Sequence, residues 1–445
     1  MNTNIFKSYD IRGIYPTDLN EKDAYAIGQG IVALLKTRNI AIGRDARPSS
    51  RPLFDALVQG VNDAGSNVLD MGSASTPMVY FASQQRDVDG SISITASHNP
   101  PEWNGFKITK KNALPVGMNT GLKEVRDFAT TGKFTKNLIR GILVPYASSI
   151  GKYNDYFSTF WKLGDAKFNV VIDTANAMGT LELPVYTRMK DNLTVTPMYD
   201  DLSHPFSVHE ANPLKTETLD DLRAKVKELH ADIGIAYDGD ADRIGFVDET
   251  GTPVPMDFIT AIVSFTVLKQ HPGSTVLYDL RSSMSVKEAI EKNGGIAHEC
   301  MCGHANIKKQ MAEEHAVFAG ELSGHYYFKE NANAESGTFA AILLLNYMAE
   351  TKKKLSELVA EVKKYYHSGE INSTVTDIPA VLEKLKEKYK DGNLSELDGI
   401  KISYPDWWFN VRASNTEPLL RLNMEAKTTE MMEQKRDELL ALIRN

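Results

Sequence analysis

At 445 residues the chain is too long for one hydrophobic core, so about two to four domains are expected. With 42% hydrophobic and 24% charged residues it has the composition of an ordinary soluble protein, which favours neither disorder nor a fibrous repeat. Fifty Lys and Arg against 58 Asp and Glu leave a net charge of −8, which argues against a broad nucleic-acid surface but allows a local cationic pocket.

Two cysteines exclude a disulfide framework, and Cys300-Met301-Cys302 lacks the further ligands of a zinc site, so both read as reduced and structural. The first ten residues contain no apolar run of signal-peptide length, and no stretch reaches the roughly 18 apolar residues of a membrane span. A cytoplasmic setting is expected.

In chain order, Ile5 to Ile14 reads as a strand-like opening that carries Tyr9, Asp10 and Arg12 into a turn at Gly13. A helix follows, with Asn20 as N-cap and Ile27, Ile31, Leu34 and Leu35 on its apolar face. Within it, Gly28-Gln29-Gly30-Ile31-Val32-Ala33 matches a loose dinucleotide pattern, which is rejected because such a pattern has meaning only directly after a strand. The strand Ile40–Ile42 leads into GRDARPSS and a helix from Pro52 to Ala64. Asn67–Met71 is the next strand, and Thr76-Pro77 has the form of an N-cap with proline at the first helical position. Ser91 to Thr95 alternates polar and apolar residues, the period of a strand, and stops at the small polar turn Ala96-Ser97-His98-Asn99-Pro100-Pro101. A helix near Thr120–Thr131 closes this unit, and the alternation of strands with helices indicates a layered α/β domain.

A helical segment, Ser148 to Lys162, leads to a second unit with strands Asn169–Asp173 and Ile233–Tyr237 and a helix Thr218–Leu229. A third begins near Pro253, with helices Phe258–Leu268, Val286–Asn293 and Gly337–Tyr347 and strands Thr275–Leu280 and Val317–Ala319. Tyr365–Gly369 is a polar break before a smaller fourth domain of about eighty residues.

Four stretches carry chemistry. Ser97, at the tip of a strand and beside His98, lies where open α/β sheets place ligands, although an ordinary Ser/Asn/Pro turn has the same look. In YDGDADR, Asp238, Asp240 and Asp242 alternate, and three carboxylates turned to one side call for a hard divalent cation such as Mg²⁺ or Ca²⁺. An EF-hand is rejected, because Arg243 stands at the sixth position where glycine is required and the flanks read as strands. Arg243 beside these carboxylates suits a phosphate that also meets the metal. In GELSGH, Glu321, Ser323 and His325 alternate after a strand, offering an acceptor, a hydroxyl and a titratable ring to sugar hydroxyls. In RASNTEPLLR, Arg412, Ser414, Asn415 and Thr416 form a donor-rich nest for an oxyanion, to which Arg421 returns. Cys302-Gly303-His304 with Lys308 is a fifth, weaker polar group.

Taken together and in this order, TASHNP with NGFK, DGDADR, GELSGH and RASNTEP, with YDIRG near the start, resemble the α-D-phosphohexomutase superfamily, most closely its phosphomannomutase/phosphoglucomutase branch. The resemblance covers all four domains. It implies three similar mixed-sheet α/β domains and a smaller α+β C-terminal domain around a central cleft. The expected domains are residues 1–147 with a phosphoserine loop, 148–252 with a metal loop, 253–366 with a sugar loop and 367–445 with a phosphate loop.

The implied reaction interconverts hexose 1-phosphate and hexose 6-phosphate through a hexose 1,6-bisphosphate, which also serves as primer. By the same resemblance Ser97 is the phosphoserine, and it joins Asp238, Asp240 and Asp242 as a ligand of Mg²⁺. Arg412, Ser414, Asn415, Thr416 and Arg421 match the distal phosphate loop, and Glu321 and Ser323 match the residues that hold sugar hydroxyls. Tyr9, Arg12, Lys107, Arg243, Arg281, Gly303 and His304 match positions lining the cleft, Lys107 and Arg12 flanking Ser97. His98, Lys107, His304 and His325 are the acid/base candidates, with Lys107 preferred beside the phosphoserine. Leu322 stands where phosphoglucosamine mutases have glutamine, which points to mannose or glucose phosphates and leaves phosphoglucosamine mutase as the alternative. A serine hydrolase is disfavoured because the G-x-S-x-G elbow is absent. Partners are small-molecule hexose phosphates, with no nucleic acid or membrane, and the chain is expected as a monomer or homodimer. The stretch from Asn331 to Gly337 departs from the aspartate-rich segment of many relatives, and Arg281 replaces a lysine found in some.

Overall fold

The computed structural model describes residues 1–132, 134, 136–413 and 419–444. The strands form four sheets. The first runs in the order Ile11–Ile14, Trp103–Lys110, Gly90–Ile94, Asn39–Arg44, Asn67–Ser73 and Leu143–Pro145. Its last four strands are parallel, while Trp103–Lys110 pairs antiparallel with both of its neighbours. The second sheet has the order Pro253–Val254, Ile244–Asp248, Ile233–Tyr237, Phe168–Asp173, Leu193–Met198. The third has the order Ile296–Cys300, Thr275–Asp279, Phe318–Gly320, Tyr326–Phe328, Ala334–Glu335. Both combine parallel strands joined through helices with antiparallel hairpins, as mixed α/β sheets do. The fourth sheet is antiparallel throughout, centred on Trp407–Ala413 and Leu420–Ala426. Three mixed α/β units and a smaller C-terminal α+β unit match the expected fold class.

The apolar cores follow this division only in part: the first unit has a core of its own, including Ile27, Ile42, Phe54 and Phe106, but another core crosses between units. One cluster is continuous through Met78, Val79 and Phe81 of the first unit, Tyr153, Phe157 and Ile172 of the second, and Ile262, Phe318 and Phe339 of the third. The fourth sheet packs its own core of Trp407, Phe409, Leu422, Met424 and Leu439. Glu182 is fully buried where the first three units meet, and it accepts hydrogen bonds from Ser75 Oγ (2.5 Å), Thr338 Oγ1 (2.6 Å) and Tyr153 OH (3.0 Å). Among the described residues no helix is long and apolar enough to cross a membrane.

Several local expectations shift. The opening strand is confined to Ile11–Ile14, after a short turn Thr3–Ile5. Asn20 does cap the helix Glu21–Leu35, its side chain accepting from the Lys22 and Asp23 amides. The next expected cap moves by one residue: Ser75, not Thr76, caps the helix Thr76–Ala82, its side chain accepting from the Met78 amide, while the Thr76 hydroxyl donates to Asp240 Oδ2 at 2.6 Å. The polar residues of Gly90–Ile94 do not face water. The strand is buried on both sides, with Ser91 Oγ meeting Thr109 Oγ1 at 2.7 Å and Ser93 Oγ meeting Thr76 Oγ1 at 2.8 Å. The polar break after Tyr365 holds a short strand, Tyr366–His367, paired with the fourth sheet.

Candidate active site

The serine loop is the turn of a hairpin between Gly90–Ile94 and Trp103–Lys110. Ser97 is fully buried, with a φ of 53°, a left-handed conformation that a residue with a Cβ adopts only when its surroundings hold it there. Arg47 supplies that hold. Its guanidinium donates to four backbone carbonyls of the loop, those of Ser97 (2.8 Å), Asn99 (2.7 Å), Pro100 (2.6 Å) and Trp103 (3.2 Å). Its Nε is paired with Asp45 at 2.9 Å, so the buried charge is compensated. Arg12, itself fixed by Asp10, donates to Asn99 Oδ1 at 2.7 Å on the other side of the loop.

The acidic loop is the turn of a second hairpin, Ile233–Tyr237 with Ile244–Asp248, and it abuts the serine loop. Gly239 makes the approach possible: a Cβ there would lie 2.2 Å from the Ser97 carbonyl oxygen. Ser97 Oγ consequently donates to Asp238 Oδ2 at 2.7 Å. The carboxylates of Asp238, Asp240 and Asp242 converge, with one oxygen of each within 4.8 Å of the others, and all three residues are buried. Lys107 Nζ lies between Asp240 Oδ2 (2.7 Å) and Asp242 Oδ2 (2.5 Å). Asp240 Oδ1 is buried with no hydrogen-bond partner among the described residues. A convergent, all-oxygen set with an orphaned carboxylate oxygen fits a hard divalent cation.

The electrostatics are those of a crowded buried acid cluster. Burial, with Asp242 and Asp240 beside it, pushes the Asp238 carboxyl up to about 7. Asp242 is held well below the usual range despite its burial, by Lys107 and His325. Burial opposes the charge of Lys107, but Asp240 and Asp242 outweigh it and raise the ammonium pKa. Burial, then Arg243, Arg12 and Lys107, drive His98 down to about 2, so this ring is neutral, with Nδ1 3.3 Å from Ser97 Oγ.

The sugar-type loop is the turn of a third hairpin, Phe318–Gly320 with Tyr326–Phe328. Glu321 accepts from the Gly303 amide (3.0 Å) and from Tyr327 OH (3.0 Å), and Ser323 Oγ lies 2.7 Å from His325 Nδ1. His325 Nε2 is 3.2 Å from Asp242 Oδ1, which ties this loop to the acidic one. Although burial works against it, Asp242 and Glu321 lift His325 to about 9. His304 behaves oppositely: burial and the nearby Lys308 and Lys107 hold it well below its ordinary value, and its Nδ1 has no partner among the described residues. Its ring packs edge-on to Tyr9, and Gly303, at a φ of 105°, lets Tyr9 approach.

A cleft of about 780 Å³ is lined by Tyr9, Arg12 and Lys107 of the first unit, Asp242 and Arg243 of the second, and Gly303, His304, Glu321, Ser323 and His325 of the third. Ser97, Asp238 and Asp240 are buried outside this lining, in the cluster to which Lys107 and Asp242 belong. Arg281, Arg412 and Arg421 gather elsewhere, around Glu370 at the edge of the fourth sheet. Ser414, Asn415 and Thr416 lie outside the described residues. Lys308, of the fifth polar group, is buried, paired with Glu335 at 2.5 Å and 4.0 Å above the Tyr80 ring. The sequence reading missed Arg47, Thr76, Glu335 and Glu370. The only cue to Arg47 was the dense polar run that follows a strand.

Comparison with known proteins agrees with this geometry. The three phosphoglucomutase/phosphomannomutase alpha/beta/alpha domain families match in order, domain I over residues 3–136, domain II over 145–251 and domain III over 255–365. The C-terminal domain of the same family matches residues 370–442. A phosphomannomutase of Methanocaldococcus jannaschii is 40% identical over 444 residues, covering 99% of this chain and 97% of that one. A phosphomannomutase of Escherichia coli is 34% identical, with 99% of each chain covered. The crystal structure of a phosphoglucomutase/phosphomannomutase family protein from Burkholderia thailandensis superposes with a TM-score of 0.92 at 27% identity, covering 99% of this chain and 97% of the other.

Proposed function

This chain belongs to the phosphoglucomutase/phosphomannomutase family, and we propose that it interconverts hexose 1-phosphates and hexose 6-phosphates, of mannose or glucose, with Ser97 as phosphoryl carrier. The observation that supports Ser97 most strongly is its buried Oγ, 2.7 Å from Asp238, in a turn whose backbone carbonyls Arg47 holds.

In the working form Ser97 Oγ carries the phosphoryl group. Its P–O bond breaks as a bond forms to the free hydroxyl oxygen of the sugar phosphate, giving a hexose 1,6-bisphosphate, and the hydroxyl proton passes to a neighbouring base. The bisphosphate then presents its other phosphate to Ser97, which recovers a phosphoryl group and releases the isomer. The same bisphosphate, supplied from outside, charges an empty Ser97.

The carboxylates of Asp238, Asp240 and Asp242, with an oxygen of the serine phosphate, would hold Mg²⁺, which supplies neutralising charge to the transferred group. Lys107 adds a cation on the same side, and Arg243 reaches the cleft from the acidic loop. Glu321 and Ser323 face the cleft as hydroxyl partners. His304, which lines the cleft with an unengaged Nδ1, is placed to accept the hydroxyl proton, and Lys107 and His325 to donate one. Arg412 and Arg421, with Arg281, would anchor the phosphate that does not react, assisted by Ser414, Asn415 and Thr416.

A coupled assay with mannose 1-phosphate, glucose 1-phosphate and glucosamine 1-phosphate, each with and without a hexose 1,6-bisphosphate, tests this reading. Turnover of mannose or glucose phosphate, stimulated by the bisphosphate and without release of inorganic phosphate, is expected. Release of stoichiometric phosphate would show a hydrolase instead, and preference for glucosamine 1-phosphate would overturn the sugar assignment.

A further inference from the structure

On the fourth sheet Arg412 and Arg421 stand directly opposite one another on neighbouring antiparallel strands, Trp407–Ala413 and Leu420–Ala426. Like charges in that register repel unless an anion lies between them. Glu370, just ahead of the strand Ile371–Ser373 that flanks Arg421, supplies one. Its Oε1 accepts from Arg421 Nη1 at 3.1 Å, and its Oε2 is 3.5 Å from Arg412 Nη2. Arg281, which follows the third-sheet strand Thr275–Asp279, brings Nη1 to 3.7 Å from the same oxygen, while its Nε and Nη2 are occupied by Asp279. Glu370 thus meets three converging guanidinium groups, with Asp398 Oδ2 a further 3.9 Å from Arg412 Nη1, and it joins the third sheet to the fourth.

We propose that Glu370 is a displaceable internal anion: it holds Arg281, Arg412 and Arg421 convergent while the clamp is empty and competes with the substrate phosphate for their N–H groups. The inference rests on the reading that these arginines anchor the phosphate that does not react. A phosphate dianion carries more charge and more acceptor oxygens than a carboxylate, so it displaces Glu370, but with less affinity than a clamp without an occupant would give it. The Glu370 side chain is 29% exposed, so the displaced carboxylate has water to turn into. A clamp weakened in this way suits a cycle in which the bisphosphate must let go, turn and be gripped again by its other phosphate.

The test is the binding of inorganic phosphate, by titration calorimetry and as a competitive inhibitor of turnover, in wild type, Glu370→Gln, Arg421→Gln and the double variant. Removing a competing charge from a clamp of this kind is expected to tighten phosphate binding roughly threefold to tenfold in Glu370→Gln, with a lower KM and a lower kcat. The gain should vanish in the double variant. Glu370→Asp, which draws the carboxylate back by one methylene, should shift binding in the same direction and serves as a second readout if the glutamine variant folds poorly. Unchanged or weaker phosphate binding in folded Glu370 variants overturns the proposal and leaves Glu370 a structural brace. If Arg421→Gln itself leaves phosphate binding and KM at wild-type values, the clamp reading fails and the inference falls with it.

Discussion

Ser97 has a buried hydroxyl, a left-handed backbone and a carbonyl gripped by Arg47, a set of constraints that an ordinary surface turn does not need. Its carboxylate partner, Asp238, belongs to a cluster whose negative charge is only partly met by Lys107, and Asp240 Oδ1, without a partner among the described residues, marks where a cation is wanted. Asp240→Asn removes one charge while keeping the side chain's shape. Because a lost ligand costs at least as much as a lost supporting contact, Mg²⁺ affinity measured by calorimetry should fall by about tenfold or more, and thermal stabilisation by Mg²⁺ should shrink with it. Wild-type Mg²⁺ binding by the folded variant would remove Asp240 from the metal site.

At the scale of elements one device recurs. The serine, acidic and sugar-type loops are each the turn of an antiparallel hairpin, and Arg412 and Arg421 sit on the two strands of a fourth. A hairpin presents short polar turns on a rigid base, and such turns are built from neighbouring residues. This is why the loops were legible in the sequence: Asp238, Asp240 and Asp242, or Glu321, Ser323 and His325, announce themselves through local spacing. The residues that fix the loops were not legible, because their partners lie far off in the chain. Arg47 reaches a carbonyl 50 residues away, and Thr76 reaches an aspartate 164 residues away. The cap lies one residue from its expected place: Ser75, in an extended conformation, caps the helix, and Thr76, inside its first turn, gives its hydroxyl to the acidic loop. Glu370 was hidden for the same reason, 51 residues from Arg421 and separated by a sheet's width of chain. The alternation of Ser91 to Thr95 gave the strand correctly but not its burial, because buried serines that bond to Thr76 and Thr109 look like solvent-facing ones.

At the scale of the whole molecule, the cleft exists because three units are locked together and the fourth keeps a core of its own. Glu182 is a polar pin of that lock, with hydroxyls from each of the three units on one buried carboxyl. Burial raises its pKa above the ordinary 4.5, although its three hydroxyl donors work the other way. The folded protein therefore keeps a proton that the unfolded chain gives up, so the contribution of Glu182 to stability declines as pH rises past that value. Glu182→Gln cannot lose that proton. Its melting temperature should gain on wild type as pH is raised from 4.5 towards neutrality, and parallel curves over that range would show that Glu182 is not held protonated. The catalytic cycle joins all of these parts through one atom, Ser97 Oγ. Charging the enzyme with a hexose 1,6-bisphosphate carrying ¹⁸O-labelled phosphates, then locating the label by peptide mass spectrometry before and after adding unlabelled hexose 1-phosphate, follows the phosphoryl group onto and off that atom. Label is expected on Ser97 alone, passing in full to the sugar and none to inorganic phosphate. Label on another residue, or none on the protein while the substrate still isomerises, would contradict Ser97 as the carrier.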